Sequence, residues 1–134
     1  MNTKTKHYWL YVLQLEGGKY YIGLSSRSDA KARILEHFHG FYTAQWVRKH
    51  APIDVYDIIH IGEMTFDEAQ IMENRLTKQY MQKYGRNNVR GGVLNYSGKY
   101  VYIPILGYFY RGQDAVIIAT LLLQLFVIAY LVIN

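Results

Sequence analysis

The stretch WLYVLQLEGGKYYIGLSS, residues 9–26, constrains the fold more than any other part of this chain. Its two halves are rich in Tyr, Val, Leu and Ile, and Gly17-Gly18 divides them. Branched and aromatic side chains fit a pleated surface, and glycines supply the positive φ that a tight reversal needs. Residues 8–16 and 19–25 are therefore predicted to be the arms of an antiparallel hairpin. Side chains alternate faces along a strand. A two-residue turn would set Tyr21 opposite Gln14 and leave Tyr11 on the other face. A three-residue turn would set Tyr21 opposite Leu13 or Leu15, with both phenols on one face.

Beyond the hairpin, SSRSDAKARILEHFHG predicts a helix capped by Ser28, beginning near Asp29 and ended by Gly40. Ala30, Ile34, Phe38 and Phe41 are its expected apolar stripe. Residues 41–52 read as irregular, or as a second short helix stopped by Pro52. A third strand is expected at 53–62. TFDE at 65–68 is a capping box, with Thr65 as N-cap and Glu68 three residues on, opening a helix that runs to about Tyr84 before Gly85. A Gly/Asn loop follows at 86–100, with a short fourth strand around 93–96 or 100–106. The order is that of an α+β fold: a small antiparallel or mixed sheet of about three strands, flanked by helices.

The last segment is of another kind. Residues 115–133 hold no charge, and only Thr120 and Gln124 are polar. As a helix this stretch would be roughly 28 Å long, close to the thickness of a bilayer core. Tyr100, Tyr102, Tyr108, Phe109, Tyr110 and Arg111 precede it as an interfacial belt would. We divide the chain into a domain at 1–100 and, at 101–134, an aromatic juxtamembrane segment with a transmembrane or apolar helix. The charge is split the same way. Residues 1–100 carry 14 Lys/Arg against 9 Asp/Glu, and residues 101–134 carry only Arg111 and Asp114. A basic domain suits a polyanionic partner such as nucleic acid. The positive-inside rule would hold it on the cytoplasmic side of a membrane, and the expected location is intracellular. There is no cysteine, so disulfides and thiolate zinc sites are excluded.

Three side chains fit a plain core poorly. Glu73 shares or borders the helical stripe of Ala69, Met72, Leu76 and Tyr80, and a carboxylate facing a core is costly without a cation or donors. Arg33 and His37 are four residues apart, on one face of the earlier helix, with Glu36 and His39 expected to point away. A guanidinium there could grip two phosphate oxygens, and a histidine could exchange a proton near neutral pH. The two histidines of HFH, 37–39, point in different directions on a helix and are not read as a zinc site. Phenols, an Arg–His face, a carboxylate and an amide-rich loop together suit metal-assisted phosphodiester cleavage. Glu73 would ligate one hard cation, Arg33 would neutralise the phosphate, and a tyrosine or His37 would relay the proton.

These residues resemble the motifs of the GIY-YIG nucleases. LYV at 10–12 and YIG at 21–23 are similar to the paired motifs, although Trp9-Leu10-Tyr11 replaces Gly-Ile-Tyr. Arg33 and His37 correspond to the family's R…H helix, and Glu73, in MENRLTKQY, to its metal-binding glutamate. The family's late asparagine falls best on Asn88, with Asn87 and Asn95 as alternatives. The resemblance covers about residues 8–96. It implies an α/β sandwich around a central antiparallel sheet, and cleavage of nucleic acid, DNA foremost, with one Mg2+ or Mn2+ per site. It gives catalytic roles to Tyr11, Tyr21, Arg33, His37, Glu73 and Asn88, with Tyr21 as the base or water-orienting phenol. The RGG of 90–92, with Trp46, Arg48 and Lys49, resembles stand-alone domains similar to DNA repair nucleases. Lys31, Arg48, Lys49 and Arg90 are the expected nucleic-acid contacts. A shared site requires the odd-length turn, with a left-handed glycine at a bulge and Tyr20 left to packing. The rival expectations are a nuclease-derived binding module without turnover, and a membrane-associated interaction protein whose tail is its working part.

Overall fold

The structure, a computed structural model, describes residues 4–133. It consists of two compact units, one ending at Ser97 and the other beginning at Gly98. In the first, β1 (Lys6–Leu15) and β2 (Lys19–Ser25) form the expected hairpin. Leu15 pairs with Lys19, Leu13 with Tyr21 and Tyr11 with Gly23, so the turn has three residues. Gly17 and Gly18 adopt φ of 70° and 68°. The β1–β2 register runs unbroken, so the expected bulge is not in this ladder. The irregularities of β1 lie instead on its other side, against β3 (Pro52–Met64). The sheet has four strands, in the order β3-β1-β2-β4. The added strand, β4 (Val89–Gly91), pairs parallel with Tyr20–Ile22 of β2.

Helices cover both faces. On one, Tyr11, Leu13, Leu15 and Tyr21 form a core with Ala30, Ile34, Trp46 and Val47. Ile34 belongs to α1 (Lys31–Phe38), and Trp46 and Val47 to α2 (Gln45–Lys49). On the other face lies α3 (Phe66–Tyr84), which buries Ala69, Glu73, Thr77 and Met81 and opens with the complete Thr65–Glu68 capping box. Tyr20 belongs to this second face. Its ring stacks on Tyr84 at 4.4 Å and meets Tyr56 and Tyr80 edge-on.

The entry to α1 departs from expectation. Ser28–Ala30 form a 3-10 turn, Asp29 and Ala30 have φ of 50° and 62°, and no side chain caps α1. The apolar stripe is shorter than its period suggested. Ala30 and Ile34 are buried, Phe38 and Phe41 are exposed, and His37 takes the inward position. Gly40, with φ of 75°, ends the helix, and Phe41 N–H returns to Glu36 O.

In the second unit β5 (Tyr100–Ile103) and β6 (Tyr108–Arg111) form a small hairpin ahead of α4 (Gly112–Ile133). α4 has a mean hydropathy of 2.8 over its most apolar window, and none of that window is buried. It is the one described helix long and apolar enough to cross a membrane.

Candidate active site

β4 is too short to cover β2. It stops at Ile22, so the outer edge of β2 from Gly23 to Ser25 has no strand beside it. A cleft of about 440 Å³ opens there, lined among others by Tyr11, Tyr21, Arg33 and Glu73. Arg33 comes from the helix on one face of the sheet and Glu73 from the helix on the other. The open edge is where both can reach.

Tyr11 is the most constrained member. Its side chain lies over its cross-strand partner Gly23, where an added Cβ would stand 2.1 Å from the ring Cζ and 2.2 Å from the hydroxyl. Only glycine leaves that space free. The Tyr11 hydroxyl meets His37 Nε2 at 2.8 Å, and His37 Nδ1 meets Thr43 Oγ1 at 2.5 Å. A neutral imidazole has one donor and one acceptor nitrogen, so this chain has a direction: if Tyr11 donates, His37 donates on to Thr43. Burial, then the Arg33 charge, lower His37 to about 4. It is therefore neutral at physiological pH, which corrects the expectation of a group titrating near neutrality.

Both phenols stay protonated at neutral pH. Burial, and then the charge of Tyr21, push Tyr11 far up, while Arg33 opposes them. Burial and the Glu73 charge push Tyr21 to about 12. The two rings are 6.5 Å apart, and the Tyr21 ring lies 5.1 Å from His37.

Arg33 is half-buried and donates from Nη1 to Glu36 Oε2 at 2.7 Å. Glu36 also holds Arg27. Glu36 thus does not point away from Arg33 as expected, because residues three apart on a helix are neighbours.

Glu73 is buried, and burial raises it to about 7, opposed by a hydrogen bond from Gly92 N–H. None of the ion pairs among the described residues involves it. Asn74, which the sequence did not single out, fixes the loop that supplies this donor by accepting from Val93 N–H at 3.0 Å. No group of three or more metal-ligating side chains occurs among the described residues. A lone buried carboxylate short of positive charge, beside an open cleft, still fits Mg2+. That ion keeps several waters and is commonly held by one or two carboxylates and substrate phosphates.

The remaining candidates are not brought to the cleft. Asn88 donates to Tyr84 O at 2.7 Å and accepts from Lys19 Nζ at 2.5 Å, tying the end of α3 to the start of β2. Asn87 and Asn95 do not line the cleft either. Lys31 is exposed and paired with Asp29 at 3.1 Å. Arg48 and Lys49 are exposed on α2. Arg90 is corrected as a nucleic-acid contact. It is fully buried, donates to the carbonyls of Val89, Arg86 and Tyr96, and stacks 4.4 Å from the Trp46 ring centroid. Its charge serves the 86–96 loop and cannot meet a ligand. No family model, curated protein or solved structure compared with the chain matches it.

Proposed function

We propose that this protein is a metal-dependent endonuclease of the GIY-YIG type, acting on nucleic acid, with DNA as the first substrate to test. The observation that carries the reading is the cleft itself. It gathers two phenols, a guanidinium and a buried carboxylate from residues 11 to 73 at one open sheet edge. Arg33 would bind the equatorial oxygens of the scissile phosphate and stabilise the charge that builds on them. A magnesium ion on Glu73 would add Lewis-acid stabilisation of the phosphate and the leaving oxygen.

The roles of the two tyrosines differ. Neither is a phenolate at neutral pH, so neither acts as a ready-made base. If Tyr11 donates to His37 Nε2, its oxygen accepts from Arg33 and keeps one lone pair for a water. We assign water orientation to Tyr11, with Tyr21 beside it bounding the site. In the reaction the water oxygen bonds to phosphorus and the P–O bond to the leaving sugar oxygen breaks. The water proton passes to solvent, and the leaving sugar oxygen takes a proton from solvent. The apolar α4 supports a membrane-anchored form of the enzyme, with the basic unit on the cytoplasmic side.

The test uses the full chain in detergent micelles, supercoiled plasmid, and magnesium present or chelated. Magnesium-dependent nicking is expected, lost in Glu73→Gln and reduced about 100-fold, roughly 3 kcal/mol, in Arg33→Ala. One observation favours a second reading, a binding module without turnover: Arg33 is already committed to Glu36. Folded protein that binds but leaves plasmid, branched DNA and RNA uncut would establish that second reading.

A further inference from the structure

The cleft contains two cations that neither the motifs nor the proposed chemistry uses. Lys4 and Lys6 both line it, and both are exposed. Lys6 begins β1 opposite Met64, and the two-residue spacing puts it on the same face as Tyr8, another cleft residue. Thr5, between the lysines, donates to Glu63 at 2.7 Å and so ties this segment to the end of β3. None of the ion pairs among the described residues uses either lysine. Arg33 is already paired with Glu36, so Lys4 and Lys6 are the cleft's two cations outside the ion pairs of the described residues, against the single carboxylate of Glu73. A cleft with that excess is built for a ligand carrying more than one negative charge.

Resting on the nuclease reading, we propose that Lys4 and Lys6 hold the backbone phosphates next to the scissile one, so that the chain leading into β1 is part of the substrate path. A lysine is a point charge without a planar fork, which suits phosphates and reads no base. The other exposed cations are placed less well. Arg48 and Lys49 sit on α2 and do not line the cleft. The grip on the neighbouring phosphates would then lie at the start of β1 and just before it, on the strand that also carries Tyr11, while Arg33 of α1 holds the scissile phosphate. One rigid element would then set both the register of the backbone and the position of the attacking water.

The experiment measures binding of a fluorescein-labelled duplex to the detergent-solubilised full chain, with metal chelated, across a potassium chloride series. For duplex DNA the slope of log K against log salt changes by about 0.9 per phosphate neutralised. Lys4→Gln/Lys6→Gln is expected to flatten that slope by about 1.8. The control Arg48→Gln/Lys49→Gln removes the same charge outside the cleft and is expected to flatten it less. Lys4→Arg/Lys6→Arg, which keeps both charges, should restore the parent slope. A Lys4/Lys6 slope equal to that of the parent, or a change no larger than the control's, overturns the assignment while leaving the nuclease reading intact. A parent protein that binds no duplex at any salt concentration overturns both.

Discussion

Gly23→Ala tests whether the Tyr11 phenol is held where the site needs it. The new methyl would stand 2.1 Å from Cζ and 2.2 Å from the hydroxyl of Tyr11. An ordinary carbon contact is about 3.5 Å, so the ring must retreat by about 1.4 Å. It has little room, because it is 1% exposed and bonded to His37. Overpacking of this kind costs about 1–3 kcal/mol. Breaking the Tyr11–His37 bond leaves a buried polar atom without its partner, about 1–3 kcal/mol more. We expect a total near 4 kcal/mol, a large share of the roughly 5–15 kcal/mol available to a folded domain. The assay is urea unfolding followed by tryptophan fluorescence. Trp9 and Trp46 are the only tryptophans and both lie before Ser97, so the signal reports the sheet unit alone. The same change in a Tyr11→Ala background should cost under about 1 kcal/mol, because the clash is gone. A loss below about 0.5 kcal/mol in the parent, or equal losses in both backgrounds, would mean that the glycine at 23 does not set the position of the Tyr11 ring.

Glu73 binds its proton more tightly folded than unfolded, so its contribution destabilises progressively as pH rises from 4.5 to about 7. His37 does the reverse: its folded value of about 4 lies below 6.5, so stability is lost as pH falls through that window. Relative to the parent, Glu73→Gln should therefore gain up to about 3 kcal/mol at pH 8, fading to little below pH 4.5, when unfolding is measured at both pH values. Magnesium should raise the melting temperature of the parent but not of Glu73→Gln; an equal rise in both would remove Glu73 as the ligand. Arg90→Gln should cost at least about 3 kcal/mol in urea unfolding, because it strands three carbonyls and the Trp46 face. Deleting residues 112–134 should move the protein from the carbonate-resistant membrane fraction to the soluble one on cell fractionation, and a truncated chain that stays in the membrane would refute the anchor.

What the sequence revealed depended on how local each cause was. Strand alternation left both hairpin turns open, and the odd one followed from the resemblance, which needs Tyr11 and Tyr21 on one face; the Thr65 cap followed from four adjacent residues. Glu73 stood out because helical period put a carboxylate among apolar neighbours. Arg90 was misread because arginines are usually exposed, and nothing near it signals that Trp46, 44 positions earlier, supplies its stacking face. β4 escaped because three residues carry no periodicity. Gly23 was read as part of a motif, yet its reason for being glycine is the ring of a residue on the facing strand. Lys4 and Lys6 were not singled out in the sequence, and only the open edge of β2 gives them a common cleft with Arg33.

The short parallel strand also governs how this molecule assembles in time. The β1–β2 hairpin closes locally and can form in microseconds. β4 must find β2 across a span such as that joining Lys19 to Asn88, 69 residues apart. Long loops close at an entropic cost that is recovered only when the contact is complete, so this pairing is expected late in folding. Substitutions in β4 should then speed unfolding while leaving the folding rate nearly unchanged. The loop that gives Glu73 its backbone donor begins where β4 ends, so the cleft would be the last region to become ordered and the first to open.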